Sequence, residues 1–321
     1  MALRLLLSFH LLLIGAAHVC AQNYPAKPVR VMVGYAAGGS VDIVGRIFAQ
    51  KLSEYFGQQF VVDNRPGAAS NVAADLVAKS APDGYTLLVS SSGSLGTNMA
   101  IYSKMPYDPL KDLAPIALLL HQGNVLIVNP SVPAKSVKEL IALARQNPGA
   151  LNYASAGTGT ALHLGAELLK LRTGISMTHV PYKGGGPAAA ATLSGETQVI
   201  VGTVASTIAF INSGRLRAIA STSAKRSKLL PDVPTVAESG YPGFEAGVWF
   251  GLLGPSGMPA AIVNRLHAQT LDALKQPDVS TALSRQGIEA RPTTPAEFAA
   301  RIRTETATWA AVVAKAGIRP E

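Results

Sequence analysis

Short apolar runs alternate along the chain with longer segments whose apolar residues recur every three or four positions. The first pair is the run Val29 to Gly34 and the segment Val41 to Tyr55, where Val41, Val44, Phe48 and Leu52 share one helical face. A strand followed by such a helix is the unit of a parallel sheet. A second unit predicts a strand from Gln59 to Asp63, a turn over Asn64 to Gly67, a helix from Ser70 to Lys79 and a strand from Thr86 to Ser90. After Ser91 the chain turns irregular through Pro106, Asp108 and Pro109. The apolar stretch Leu113 to Val128 then reads as a strand crossing into a second lobe.

In that lobe the pattern predicts helices over Lys135 to Gln146 and Ala161 to Leu171. Strands are expected at Leu151 to Ala154, Met177 to Pro181, Thr197 to Gly202 and Leu216 to Thr222. A Pro- and Gly-rich stretch, Leu230 to Gly257, precedes three helices, Ala260 to Leu274, Val279 to Gln286 and Pro295 to Ala316, which can return to cover the first lobe. The expected architecture is α/β, with two doubly wound lobes joined by two crossings. The first lobe is discontinuous, residues 22–121 and 222–321, and the second spans 122–221.

The segment 1–21 stands apart. Arg4 precedes an apolar run from Leu5 to Gly15, and Val19, Cys20 and Ala21 form a small-residue end, the three-part layout of a secretory signal peptide. Cleavage after Ala21 is expected, and Val19 stands where a lipid-modified cysteine would want a smaller neighbour. The expected product is a periplasmic chain without a membrane anchor, and a monomer. Removing Cys20 removes the only cysteine, so stability must come from packing.

Lys and Arg outnumber Asp and Glu by 28 to 19, which favours an anionic ligand. The basic residues are scattered and no aromatic-basic module accompanies them, so no nucleic-acid partner is expected.

Candidate chemistry lies in three glycine-rich loops, each expected between a strand and a helix. The first contains Ala37, Gly38, Gly39, Ser40 and Asp42; the second contains Ser155, Ala156, Gly157, Thr158, Gly159 and Thr160. Tyr182 and Lys183 lead into the third, Gly184-Gly185-Gly186-Pro187. Glycines let the backbone approach a ligand, and the unpaired N–H groups and positive dipole end of a helix attract an anion. A carboxylate can therefore dock without arginine. Asp42 either caps its helix or receives an amine or bridging water from the ligand. His163 either faces the cleft or packs. Ser92 and Thr203 complete the expected set, while Trp249 and Phe250 read as core or lobe-boundary residues.

Enzymatic readings find no support in these loops. There is no Gly-x-Gly-x-x-Gly, no Walker lysine and no Gly-x-Ser-x-Gly elbow. His121, His163, His179 and His267 are not at metal-ligand spacing. No catalytic residue, metal or cofactor is expected.

The quoted loops, together with Tyr24-Pro25 into Val33, Asn64-Arg65-Pro66-Gly67-Ala68, Pro82-Asp83-Gly84-Tyr85-Thr86-Leu87, Val180-Pro181-Tyr182-Lys183-Gly184, Pro231-Asp232-Val233-Pro234-Thr235 and Trp309, carry a resemblance. The sequence resembles the Bug receptors, the solute-binding proteins of tripartite tricarboxylate transporters, over nearly the whole mature chain. The resemblance implies a type II periplasmic-binding-protein fold, capture of a small carboxylate such as an organic acid or acidic amino acid, and delivery to transporter membrane subunits. It also implies that Ala37, Gly38, Gly39, Asp42, Ser155, Ala156, Gly157, Thr158 and Thr160 hold carboxylate oxygens through amides, hydroxyls and waters. One departure is Gly202-Thr203-Val204, which stands where many relatives have an acidic or amide residue, leaving selectivity for an amino group open. A receptor that presents its closed form to a signalling partner is the alternative with the same fold.

Overall fold

The computed structural model describes residues 24–102, 104–285 and 287–316; the signal segment expected at 1–21 lies outside them. In the first lobe β1 (Val29–Val33), β2 (Phe60–Asn64) and β3 (Thr86–Ser91) are parallel, with β1 in the middle. Alternation along β1 splits its side chains between two cores. Val29, Val31 and Val33 pack with Val44, Phe48 and Leu52 of α1 (Ser40–Phe56), whereas Met32 packs with Ala73, Ala74 and Val77 of α2 (Asn71–Ala78) on the other face. Burial on both faces is why these strands read as continuous apolar runs. Helix α1 stops at Gly57, which takes the left-handed conformation at φ 67° and returns its N–H to Ser53.

After the short α3 (Asn98–Ile101), β4 (Leu113–Val128) has the bounds expected from sequence and belongs to both lobes. Its first half pairs with β9 (Gly247–Pro255) and β10 (Ile288–Ala290), and its second half with β7 (Val199–Thr203) and β8 (Arg217–Ser221). The partners change between Gly123 and Asn124. In the second lobe β5 (Asn152–Ser155) lies between β6 (Thr178–Pro181) and β7, all parallel. Helices α4 (Val137–Gln146) and α5 (Ala161–Thr173) cover one face through Leu140, Ile141 and Leu169. Ala188 and Ala189 of α6 (Gly185–Ser194) and Val204 of α7 (Val204–Asn212) cover the other.

The last helices return to the first lobe as expected. Ile262, Leu266 and Ala273 of α8 (Ala260–Lys275), with Val279 and Leu283 of α9 (Pro277–Arg285), join the core of α1; Phe298 and Ile302 of α10 (Pro295–Ala316) join that of α2. The far end of α10 reaches the second lobe, where Val313 meets Leu164.

Two features differ from the sequence reading. The Gly- and Pro-rich stretch contains β9, which runs antiparallel between β3 and β4. Its glycines hide it: a Cβ on Gly251 would lie 2.1 Å from Phe298 Cζ, and one on Gly254 2.1 Å from Met258 Sδ. They are contact points for bulky neighbours, not chain breakers. The second core also extends past the boundary expected at residue 221, because it takes in Val236, Phe244 and Ala246. Backbone bonds hold that stretch against β8: Ser221 N–H to Pro234 O at 2.7 Å and Val236 N–H to Ser221 O at 2.8 Å. The return crossing therefore follows Ala246.

Candidate ligand cleft between the lobes

The carboxyl ends of β1, β3, β5 and β7 deliver their loops to the seam between the lobes. After β1, Gly38 takes φ +84° in open surroundings, and Gly39 precedes α1 in extended backbone with no side chain capping the helix. Facing it, Gly184 at φ +137° precedes α6, which also lacks a side-chain cap. A Cβ built on Gly39 would lie 3.6 Å from Gly185 N and 3.8 Å from Gly186 N. Two helix N-termini, each with unpaired N–H groups and a positive dipole end, thus abut across the seam.

Two bonds close the lobes around this point. Ala36 N–H donates to Lys183 O at 3.0 Å, and the hydroxyls of Ser40 and Thr203 lie 2.6 Å apart. Beneath them, in this closed arrangement of the lobes, is a small cavity of about 30 Å³. Its polar lining comes from Tyr35, Gly39, Ser40, Ser91, Thr160, Gly185 and Thr203; Val41, Ala156, Ala161, Leu162, Val248 and Phe250 supply the apolar wall. No charged side chain lines it. Tyr35 and Ser91 share a hydrogen bond of 2.9 Å, and burial pushes the Tyr35 phenol up to about 12, so it keeps its proton at neutral pH.

Of the residues expected at the site, Gly39, Ser40, Ala156, Thr160 and Thr203 line the void. Ala37 and Gly38 are exposed on the rim beside Gly186. Asp42 is buried but already engaged. Its carboxylate accepts from Gly38 N–H, Arg46 Nε and Asn64 Nδ2, each at 3.0 Å. Burial opposes its ionisation, yet Arg46, Gly38 and Asn64 together hold its carboxyl below the usual range. Through these bonds it braces the first loop.

Ser155 and Gly157 shape the second loop from behind, through a bond from Gly157 N–H to Ser155 Oγ at 3.1 Å. Gly159 takes φ +83° against Asn98 and Ile101, and Thr158 O accepts from Tyr102 across the seam at 3.4 Å. Ser92 is buried outside the void; its neighbour Ser91 lines it instead. Tyr182 turns away to Glu196 at 2.7 Å, and exposed Lys183 contributes its carbonyl. His163 packs under the second loop, where its Nδ1 accepts from Gly159 N–H at 3.1 Å.

Sequence reasoning missed Tyr35, Ser91, Val248 and Phe250. Alternation in β9 was the available signal for the last two, because Trp249 points the opposite way, edge-on to Phe298. Tyr35 sat inside the first loop's own motif.

The fold is that of two-lobed periplasmic binding proteins, and the family that matches the chain is one of solute-binding receptors, not of enzymes. The chain belongs to the receptors of the tripartite tricarboxylate transporter family, whose profile matches residues 44–318. It is 38% identical to the protein BugT of Bordetella pertussis over 305 residues, covering 95% of this chain and 94% of that one. Among solved structures, Rpa4515 of R. palustris with adipate is 36% identical, with a TM-score of 0.90 over 93% of this chain and 100% of the other. MatC from Rhodopseudomonas palustris with bound malate is 34% identical, with a TM-score of 0.87 over 90% and 100%.

Proposed function

We propose that this receptor captures a small organic acid between its lobes in the periplasm and presents it to the membrane subunits of a tripartite tricarboxylate transporter. The observation that carries the reading is the pair of uncapped helix N-termini meeting at one void. Bringing two such ends together is unfavourable on its own and favourable around a carboxylate, which accepts from both. Hydrogen bonds to a charged group contribute about 1.5–3 kcal/mol each, so a few of them hold the anion without a lysine or arginine. The apolar wall of Leu162, Val248 and Phe250 suits the hydrocarbon part of the acid.

Selectivity follows from Asp42. Its carboxylate is occupied by Arg46, Asn64 and Gly38, and among the described residues no acidic side chain, Asp42 included, lines the void. We read the ligand class as plain mono- and dicarboxylates in preference to amino acids; the adipate and malate held by relatives belong to that class. The lobes in this reading are residues 24–123 with 247–316, and 124–246, hinged where β4 changes partners and where the chain recrosses after Ala246.

Calorimetric titration with adipate, malate, glutamate and adipamide tests the proposal. Binding of at least one diacid, weak binding of glutamate and none of the neutral diamide are expected. Equal binding of adipate and adipamide would refute a carboxylate seat.

A further inference from the structure

Behind the second loop lies a group of three rings, Tyr153 and His163 buried and His179 half-buried, none of which lines the void. His163 of α5 stacks on His179 of β6 with centroids 4.1 Å apart and planes within 16°. Tyr153 of β5 lies near-parallel to both, 4.9 Å from His179 and 6.3 Å from His163. The two histidines stand sixteen positions apart in sequence; β5–β6 pairing sets His179 beside Tyr153, and α5 packing over these strands brings His163 onto it.

Each imidazole directs one nitrogen at the loop. Gly159 N–H donates to His163 Nδ1 at 3.1 Å, so that nitrogen carries no proton and the ring hydrogen sits on Nε2, 3.9 Å from Glu167 Oε1. His179 Nε2 lies 2.6 Å from Ser155 Oγ, the hydroxyl that accepts Gly157 N–H at 3.1 Å. The competing acceptor for the Ser155 proton, Gly157 O, already receives the Thr160 hydroxyl at 2.8 Å. The neutral pair therefore fixes Ser155, Gly157 and Gly159, and between them the loop sets Ala156 and Thr160 on the void.

We propose that the His163–His179 pair positions the ligand-binding loop: as neutral imidazoles the rings hold residues 155–160 in the binding shape, and a proton on His163 Nδ1 releases that shape and weakens the ligand. A proton on His163 Nδ1 would confront the Gly159 N–H, donor against donor. Two charged rings 4.1 Å apart would also repel, so the protonations exclude one another. The facing charges do not rescue the cation. Glu167 already accepts from the Tyr153 hydroxyl and from Lys170 Nζ at 2.6 Å, and Lys170 itself opposes a further positive charge.

Burial, followed by Lys170, pushes His163 down to about 4; burial, followed by His163, pushes His179 down to about 3. Both folded values lie below the ordinary 6.5. The stabilisation is complete above the unfolded value and is lost as pH falls through about 4.

This inference rests on the proposed function, and its test separates the two. In ¹⁵N-labelled protein without ligand, the His163 ring and the Gly159 amide are followed by NMR from neutral pH downwards. The Gly159 amide should shift and lose exchange protection with the His163 midpoint, and in His163→Asn, whose Oδ1 replaces the acceptor, it should stay put. At neutral pH, calorimetry with adipate should show His163→Asn binding within about threefold of wild type and His163→Leu at least tenfold weaker, with matched melting curves confirming both variants folded. Failure of wild type to bind either adipate or malate would count against the function, while the amide readout would still decide the loop coupling. A Gly159 amide indifferent to the His163 titration, or a His163→Leu variant that binds like wild type, would overturn the proposal.

Discussion

Gly39 and Gly38 are adjacent, yet the structure assigns them different jobs, and replacing each with alanine separates those jobs. At Gly39 the backbone is extended, φ −85° and ψ 167°, a conformation open to any L-residue. The atoms nearest to a methyl there are Gly185 N at 3.6 Å, Ala36 O at 3.7 Å and Gly186 N at 3.8 Å, ordinary contact distances. Stability without ligand should therefore change by less than about 1 kcal/mol. The same methyl occupies the gap between the two helix starts, where a carboxylate oxygen must sit to reach both sets of N–H groups. Denying two charge-assisted bonds removes about 3–6 kcal/mol, or about a hundred- to ten-thousandfold in Kd.

Gly38 is the mirror case. It has φ +84° and no heavy atom within 4 Å of its Cβ position. Gly38→Ala should strain the turn by about 1 kcal/mol and leave affinity within about twofold. Urea melts and adipate calorimetry on the two variants give both numbers for each. If Gly39→Ala binds like wild type, or if both alanines lower stability and affinity in the same proportion, the seat does not lie between the helix N-termini.

Asp42→Asn should cost about 1–2 kcal/mol at neutral pH, since a charged acceptor of three bonds is replaced by a neutral one beside a half-exposed Arg46. Because the Asp42 carboxyl is held below 3.8, wild type should lose that contribution as pH falls through the folded value, whereas the variant's melting temperature should fall less steeply in acid. Its preference between plain acids and amino acids should not change. Ser40→Ala removes the 2.6 Å link to Thr203 and should weaken affinity by about fivefold, corresponding to about 1 kcal/mol, while small-angle scattering shows a larger ligand-free radius. Phe250→Ala should cost about 3–5 kcal/mol in a urea melt and shift calorimetric preference from malate toward longer diacids.

Local periodicity carried much of this fold. β4 matched its expected bounds because sixteen residues with few polar breaks are read without knowing their neighbours, and α1 is legible from Val41, Val44, Phe48 and Leu52 alone. β9 was hidden because its glycines answer to Phe298 and Met258, residues that approach it only in three dimensions. The site shows the same division. Gly39, Ser40, Ala156 and Thr160 lie in βα loops whose composition announces them, but Ser91 differs from Ser92 only in the face of a strand end. Asp42 carries a strong local signal, an acid in a first turn, but its bonds to Arg46 and Asn64, which brace the loop, are made only in the folded chain. The His163–His179 contact could not be read at all, since it forms only when a helix packs over a strand in the folded chain.

The shared strand has a consequence for how the molecule is made. β3 waits for its neighbour β9 while residues 92–246 are synthesised, whereas the second sheet and its core are complete once Ala246 has emerged. The lobe translated in the middle can therefore mature first, around the second half of β4, while the N-terminal strands hold an unpaired edge at β3. Docking of β9 then satisfies β3 and the first half of β4 in one step. That step joins parts of the chain far apart in sequence, and such long-range pairing should form slowly in refolding. Once it has occurred, a single strand threads both sheets, and the two lobes should unfold together in one cooperative transition.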